Sequence, residues 1–313
     1  MRGSILKPVT VVGSINLDLI NYLDRWPKVG ETIAVRETAN SLGGKGANQA
    51  AAAALLGADV TMLGATGKDS FGADVRQQLE AKGVKTQLAE YADVSTGMAF
   101  IDVVPDGSNI IRLAGGANNS LSAGTIRENA AQIERSSVLL LQNEISLETS
   151  LEAARIARKT GVLVIMDPAP APVPAWGPET FTCFDIMTPN AEEAGAILGT
   201  TPQTLEEAQD AARALKAQGL KGAIITMGGM GAAWAIDAET GALPAPKVKA
   251  IDTVAAGDCF NGALATRLAE GESFEAAIRF AMHAAAIATT RKGASSSLPS
   301  REEVLSFLSS TGG

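Results

Sequence analysis

The residues best suited to chemistry stand together in Asp252-Thr253-Val254-Ala255-Ala256-Gly257-Asp258-Cys259-Phe260-Asn261-Gly262, which runs into a helical pattern over Ala263–Glu270. Ala255, Ala256 and Gly257 immediately precede the helix. Backbone with so little side chain lets several N–H groups converge on an anion, and the helix dipole favours negative charge at that end. Asp258 falls in the first turn, beside that anion hole. A carboxylate there is poorly placed to bind a phosphate. It is well placed to take the proton of a hydroxyl that attacks one. The plainer alternative is an acidic residue that merely favours a helix N-terminus.

Five further segments could supply ligands. Gly43-Gly44-Lys45-Gly46-Ala47-Asn48-Gln49-Ala50 places glycines before a small-residue helix. It fails the Walker A pattern because Gly46 follows Lys45, and the dinucleotide fingerprint because Gln49 stands at the third glycine. Lys45 and Asn48 could hydrogen-bond polyol hydroxyls, while tight helix packing would explain the glycines equally. In Val11-Val12-Gly13-Ser14-Ile15-Asn16-Leu17-Asp18, a strand ends in Asn16 and Asp18. On extended chain that spacing puts both side chains on one face, where they could grip adjacent hydroxyls or simply meet solvent. In Thr188-Pro189-Asn190-Ala191-Glu192-Glu193, Asn190 and Glu193 share a helix face. They could hold water around Mg²⁺ and phosphate, or form an ordinary capping box. Thr226-Met227-Gly228-Gly229-Met230-Gly231 is a strand running into a glycine turn, open to a nucleotide or else a plain hairpin bend. Arg291-Lys292-Gly293-Ala294-Ser295-Ser296-Ser297 follows the helix that bears His283. Cations suit a helix C-terminus in any case, and a lone histidine is more often buried and satisfied than a ligand contact.

The elements that must position these groups alternate. The pattern predicts strands at Val9–Ile15, Val60–Gly64, Val138–Gln142, Val162–Met166, Ile186–Thr188 and Ala223–Met227. It predicts helices over Ala47–Leu56, Gly72–Lys82, Leu147–Thr160, Ala191–Leu198, Leu205–Gln218, Gly257–Glu270 and Phe274–Thr290. Such alternation argues a three-layer α/β/α body with a mostly parallel, Rossmann-like central sheet. Two segments break the rhythm. Asp18–Leu42 holds no convincing helix, and Thr96–Ala114 reads as two strands about the turn Pro105-Asp106-Gly107. Both read as β excursions, a small projecting sheet over about 16–42 and 96–115 that could act as a lid and pair with a second copy. The 313 residues show no repeat, low-complexity stretch or long linker and read as one domain.

Composition narrows the classes. A net charge of −8 excludes the global basic footprint of a nucleic-acid binder and would be repelled by an anionic membrane. Two cysteines and one histidine are too few for a disulfide framework or a usual zinc set. The opening segment MRGSILKPVTVVGS lacks the apolar core of an export signal, and no run of 18 apolar residues is present. A soluble, reducing, cytoplasmic setting is the expectation.

In this order the segments resemble the ribokinase branch of the PfkB carbohydrate kinase family, from Val11 to about Phe307. Gly43–Ala50 and Asp252–Gly262 match its two signature regions; Ser95-Thr96-Gly97, Asp167-Pro168-Ala169-Pro170-Ala171 and Thr290–Ala294 also match. The resemblance implies an ATP-dependent kinase of a sugar hydroxyl, with ribose the expected sugar and Asp258 deprotonating its O5. It implies that Asn16, Asp18, Gly44, Lys45, Asn48 and Glu144 bind the sugar, and that Ala255, Ala256 and Gly257 form the anion hole. Asn190, the Thr226–Gly231 turn, Gly257 and His283 would contact ATP, and Glu193 would help organise Mg²⁺. An activating monovalent cation, K⁺, would lie at Asp252, Val254, Ala288, Arg291, Gly293 and Ser297, largely on backbone oxygens. A homodimer through the lid is implied as well. Met230, Cys259 and the Ser295-Ser296 pair depart from the family pattern. A kinase for deoxyribose, fructose or adenosine is the nearest alternative. A nicotinamide dehydrogenase lacks its glycine fingerprint here, and a sugar-binding protein would have no use for Asp258 beside an anion hole.

Overall fold

The computed structural model describes residues 8–311. The first seven residues, which open the segment read above for an export signal, lie outside the described residues. The strands are β1 (Val9–Val12), β2 (Asn16–Tyr22), β3 (Glu37–Gly43), β4 (Val60–Gly67), β5 (Lys85–Tyr91), β6 (Gly97–Val103) and β7 (Asn109–Ala114). They continue with β8 (Val138–Gln142), β9 (Leu163–Asp167), β10 (Ile186–Met187), β11 (Gly222–Thr226), β12 (Gly231–Ile236) and β13 (Glu239–Pro244). The helices of the first half are α1 (Lys45–Leu55), α2 (Ser70–Ala81), α3 (Ala123–Glu128), α4 (Ala130–Glu134) and α5 (Leu147–Lys159). Those of the second half are α6 (Pro178–Phe181), α7 (Ala191–Leu198), α8 (Leu205–Lys216), α9 (Ala256–Ala269), α10 (Phe274–Ala288) and α11 (Arg301–Ser310).

Nine strands form one sheet in the order β13-β12-β11-β10-β9-β8-β1-β4-β5. It is parallel from β11 through β5, and β12 and β13 add antiparallel at one edge. The strands β1, β4 and β8 are apolar and buried almost throughout, as a sheet covered on both faces requires. One core cluster joins that sheet to α1, α9 and α10, and a second joins its other face to α5 and α8. The small sheet has the order β3-β2-β6-β7, with β2 and β6 parallel and the outer pairs antiparallel. The predicted strands around Pro105-Asp106-Gly107 are β6 and β7. Asp69 ties this sheet to the body: it caps α2 through Gly72 N–H (2.7 Å) and accepts Thr96 N–H (2.8 Å) just before β6.

Three expectations need correction. The strand predicted over Val9–Ile15 stops at Val12. At Gly13–Ile15 the chain leaves the large sheet, and Asn16 and Asp18 open β2 of the small one. Asn118 fixes this crossing by accepting Ile15 N–H (2.9 Å) and donating to Ile15 O (3.0 Å). The edge strands β5, β12 and β13 were not expected. In β12 the small, wholly buried run Gly231–Ile236 has no alternation to mark it as strand. Helix α2 starts at Ser70 rather than Gly72 because Asp69 provides the cap.

Small residues decide how closely the helices approach. Helix α1 is mostly alanine and buries Gly46 through Ala53 without a break. Gly262 of α9 lies against it: a Cβ there would sit 2.7 Å from Ala52 Cβ and 2.7 Å from Gln49 O. Real side chains do not pack so tightly, so Gly262→Ala should force the two helices apart. The expected loss is about 1–3 kcal/mol, the usual range for overpacking. A melting curve checks it: a variant as stable as the parent would mean that the contact is looser than described.

Candidate active site

Ligand sites in open parallel sheets form beyond the carboxyl ends of the strands, where the strand order reverses. Here β1 is that point, since the chain proceeds to β4 and β5 on one side and to β8–β11 on the other. The groups singled out in the sequence converge just past it.

Asp258 occupies the first turn of α9 and is 5% exposed. Its Oδ2 accepts from Asn48 Nδ2 (3.0 Å) and its Oδ1 from Gln49 Nε2 (3.3 Å), both on α1. The α1–α9 contact of small residues therefore brings the signature regions side by side. Asp18 is buried on β2. Burial, and then the carboxylates of Glu144 and Asp258, push its pKa up to about 7. Gly43 makes room for it, because a Cβ there would lie 2.0 Å from Asp18 Oδ1. Glu144, just past β8, accepts from Lys45 N–H (3.0 Å) and from the Ser14 hydroxyl. Asn16 Oδ1 accepts from Asn118 Nδ2 (2.8 Å). Gly44 caps α1 with a positive φ of 87°, and a Cβ there would stand 2.9 Å from Asn16 N. A cavity of about 510 Å³ opens beside Ser14, Asn16, Asn118, Asn143 and Glu144.

Burial dominates the electrostatics. It raises the pKa of Asp258, with Glu144 adding repulsion, while Lys45, Asn48 and Gln49 act the other way. Asp167, at the end of β9, is held well above the carboxylate range by burial, then by Glu193, Asp258 and Glu144, with Lys45 opposing. Burial works against the charge of Lys45, but Asp258, Asp167, Glu144 and Glu193 together keep its pKa above the ordinary value. Among the described residues no three acidic, histidine or cysteine side chains converge to hold a metal ion, so Mg²⁺ would be carried by a nucleotide's phosphates with the protein reached through water. Asn48 Oδ1 is buried with no partner among the described residues. A buried unpaired acceptor is expensive, and a ligand hydroxyl would satisfy it.

The segment Ala255–Gly257, read above as an anion hole, opens α9, with Ala256 and Gly257 inside its first turn. Ala255 is left-handed (φ 60°), a conformation a residue with a Cβ adopts only under strain. Gly257 is exposed, with nothing within 4 Å of where a Cβ would stand. First-turn N–H groups have no acceptor within the helix. Ala256, however, gives its N–H to Thr253 O (3.2 Å), so the convergence of the predicted donors is incomplete here.

Elsewhere the alternatives are satisfied. Asn190 and Glu193 form a reciprocal capping box on α7, with both bonds at 2.9 Å. The Thr226–Gly231 segment is the tight bend between β11 and β12, with Gly228 and Gly231 at positive φ and Met230 exposed. His283 is buried; its Nδ1 meets Arg279 O (2.8 Å) and its Nε2 Thr311 Oγ1 (3.0 Å), while its ring packs edge-on to Phe307. Both ring nitrogens are thus taken within the fold. The two loops expected to hold a monovalent cation do meet. Asp252 accepts Val254 N–H (3.0 Å) and Gly293 N–H (2.9 Å), and Thr289 O accepts from Ile251 and Asp252. Ala288 and Ser297 are buried there, and Arg291 is paired with Glu303. The bonds that join these loops are N–H groups on Asp252 and Thr289 O, and Ala288 O accepts Arg291 N–H (3.2 Å).

Sequence reasoning missed Gln49, Asn118, Gln142 and Asp167 as parts of the site. Asp167 was findable, since it ends a parallel strand beside the switch point. Asn118 sits in a short 3₁₀ turn with no marking pattern.

Comparison with known proteins agrees with this geometry. The model described as "pfkB family carbohydrate kinase" matches residues 7–301. A ribokinase of Haemophilus influenzae is 41% identical, covering 96% of this chain and 98% of that protein. A deoxyribokinase of Salmonella typhi is 37% identical over the same shares. Among solved structures, Arabidopsis thaliana ribokinase complexed with ribose and ATP superposes with a TM-score of 0.91 at 32% identity, covering 96% of this chain and 98% of that one. A ribokinase from Thermotoga maritima gives 0.87 at 36% identity, covering 96% and 99%. With both signature regions meeting at Asp258, the chain belongs to the pfkB family of carbohydrate kinases and is a sugar kinase.

Proposed function

We propose that this kinase transfers the γ-phosphoryl group of ATP to O5 of ribose, with Asp258 as the general base. The observation that carries the proposal is the setting of Asp258: a buried carboxylate in the first turn of α9, its two oxygens steadied by Asn48 and Gln49. Asn16, Asp18, Gly44, Lys45, Asn48 and Glu144 hold the sugar so that its hydroxyl faces Asp258. The hydroxyl proton passes to Asp258 as the oxygen attacks the γ-phosphorus, whose bond to the bridging oxygen breaks so that ADP leaves with that electron pair. The first-turn N–H groups at Ala255–Gly257 face the charge on the transferring group, with Ala256 released from Thr253 when phosphate arrives. Asn190, the Thr226–Gly231 bend and His283 would border the nucleotide, His283 after exchanging one of its present partners. Glu193 would help organise Mg²⁺ through water, and the ion when bound neutralises phosphate charge. Asp252, Val254, Ala288, Arg291, Gly293 and Ser297 would hold K⁺ next to the anion hole.

The small sheet acts as a lid that excludes water, the competing acceptor. Ile110, Ile111 and Leu113 are about half exposed on its outer strand β7, which supports a homodimer through this sheet. Among the described residues no helix is long and apolar enough to cross a membrane. We place the enzyme in the cytoplasm as one kinase domain over 1–313. Ribose is preferred because ribokinases in several kingdoms match nearly end to end. The deoxyribokinase at 37% identity makes 2-deoxyribose the competitor to test. In a coupled ADP-release assay, kcat/KM should be highest for ribose; a higher value for 2-deoxyribose would reassign the substrate.

Asp258→Asn should lower kcat by roughly 10²–10⁴-fold, the usual worth of a general base, with ATP affinity nearly unchanged. An active variant would move the base elsewhere. Asp18 adds a pH signature. Its carboxylate is the better acceptor for sugar hydroxyls, and it takes up a proton below about pH 7. Sugar affinity measured by calorimetry should therefore weaken as pH falls through 7, and in Asp18→Asn that dependence should vanish. Stability runs the opposite way. Between the ordinary and the raised pKa the folded chain binds more protons than the unfolded one, so the Asp18 contribution declines as pH rises through that window. Asp18→Asn should melt higher than the parent at pH 8, by more than at pH 5.

A further inference from the structure

Beneath Asp258 lies a buried chain of side-chain amides, of which the proposed reaction uses only the Gln49 end. Gln142, the last residue of β8, donates from Nε2 to Gln49 Oε1 (2.7 Å). Gln49, in α1, donates from Nε2 to Asp167 Oδ2 (2.8 Å) and to Asp258 Oδ1 (3.3 Å). Both glutamines have no measurable exposure. The orientation is dictated by chemistry. Two carboxylates face Gln49, so its NH₂ must point to them and its carbonyl away, where Gln142 meets it with a donor. Gly13 leaves room for the Gln142 carbonyl: a Cβ at that position would stand 1.9 Å from Gln142 Oε1.

We propose that Gln49 is a positioning residue for phosphoryl transfer, its amide turned by Gln142 so that one N–H steadies Asp258 while the other holds Asp167 apart from it. This rests on Asp258 being the base. A primary amide suits the task because it donates at every pH and adds no charge among acids. A carboxylate at position 49 would repel both partners, and an ammonium would compete with Lys45. Asn48 fixes the other oxygen of Asp258. With both oxygens held from α1, the remaining lone pairs are directed to an incoming hydroxyl rather than swept over several rotamers.

The charged groups facing Asp258 come from every neighbouring element. Lys45 lies on α1, Glu144 follows β8, Asp167 ends β9, Asp18 lies on β2, and Cys259 adjoins it on α9. Glu193 of α7 acts on Lys45 and Asp167. The acids among them favour protonation of Asp258. Gln49 and Asn48 are uncharged groups that oppose it.

The test is kcat against pH for Gln49→Met, which keeps the bulk of the side chain and removes its donors. At pH 7 kcat should fall roughly 10–100-fold, the usual effect of losing a hydrogen bond to a charged group. The acid limb of the profile should move up by about one pH unit, so that activity recovers towards pH 9. KM for sugar and ATP should change by less than about threefold, since the contact serves the transition state rather than binding. An equal loss at every pH with an unmoved limb would mean a purely structural residue and overturn the proposal, as would a change confined to KM. Gln142→Met leaves the donors in place but frees Gln49 to rotate. It should shift the limb the same way by less, and it decides the question should Gln49→Met fail to fold: an unmoved limb then refutes the role. Asp258→Asn, assayed alongside, separates the two ideas. If it stays active the base assignment fails; if it is dead while Gln49→Met keeps the parental limb, only the positioning role fails.

Discussion

One ammonium among many carboxylates is the constraint on which the site depends. Lys45 faces Asp258, Asp167, Glu144 and Glu193, and Asp18 lies close enough to Asp258 and Glu144 to be raised by them. In low dielectric such a group cannot ionise freely. What opposes protonation of Asp258 is Lys45 and the company of uncharged donors, Asn48 and Gln49. Substrates complete the balance. On the proposed reading, sugar hydroxyls meet the acceptors left open in the fold, among them Asn48 Oδ1.

That arrangement presupposes unusually close backbone approach. Asn48 and Gln49 reach Asp258 only because α1 and α9 touch through Gly262 and a run of alanines. Gly43 and Gly13 likewise yield space to Asp18 and Gln142. The small residues that lower the aromatic content of this chain are thus the means by which its polar groups meet. Burying so many polar side chains in a dry interface requires that each find a partner. Three buried side-chain atoms are unpartnered among the described residues, two of them at the site, Asn48 Oδ1 and Gln142 Oε1, and one away from it, Arg267 Nε.

Much of this was legible in the sequence because the signals were local. A helix beginning within Ala255-Ala256-Gly257, at Ala256, a turn at Pro105-Asp106-Gly107 and alternating strand and helix each depend on a few neighbouring residues. The mostly parallel sheet and the small projecting sheet followed from them. What was not legible depends on distance in the chain. Gln142 and Gln49 meet across 93 positions and Asn118 and Ile15 across 103, and nothing in either segment announces its partner. Val9–Ile15 read as one strand because Ser14 and Ile15 suit a strand well enough. Only the competing pull of the small sheet, with Asn118 clamping Ile15, ends it at Val12. His283 was ambiguous for the reverse reason, since its partners Arg279 and Thr311 occupy both nitrogens without leaving any sequence pattern.

The strained backbone at Ala255 fits the same logic. A left-handed residue other than glycine persists only where its surroundings over-determine it. Here the next element is α9, whose start fixes both the first-turn N–H groups and Asp258. Glycine at 255 would relieve the strain, but it would also let the turn sample other conformations. A methyl group confines the loop to one narrow well, so the amides and the carboxylate leave the same rigid corner in a fixed relation. Transfer of a phosphoryl group asks the protein mainly for position and charge. A corner that sacrifices some stability to hold an acid beside its amide donors supplies both.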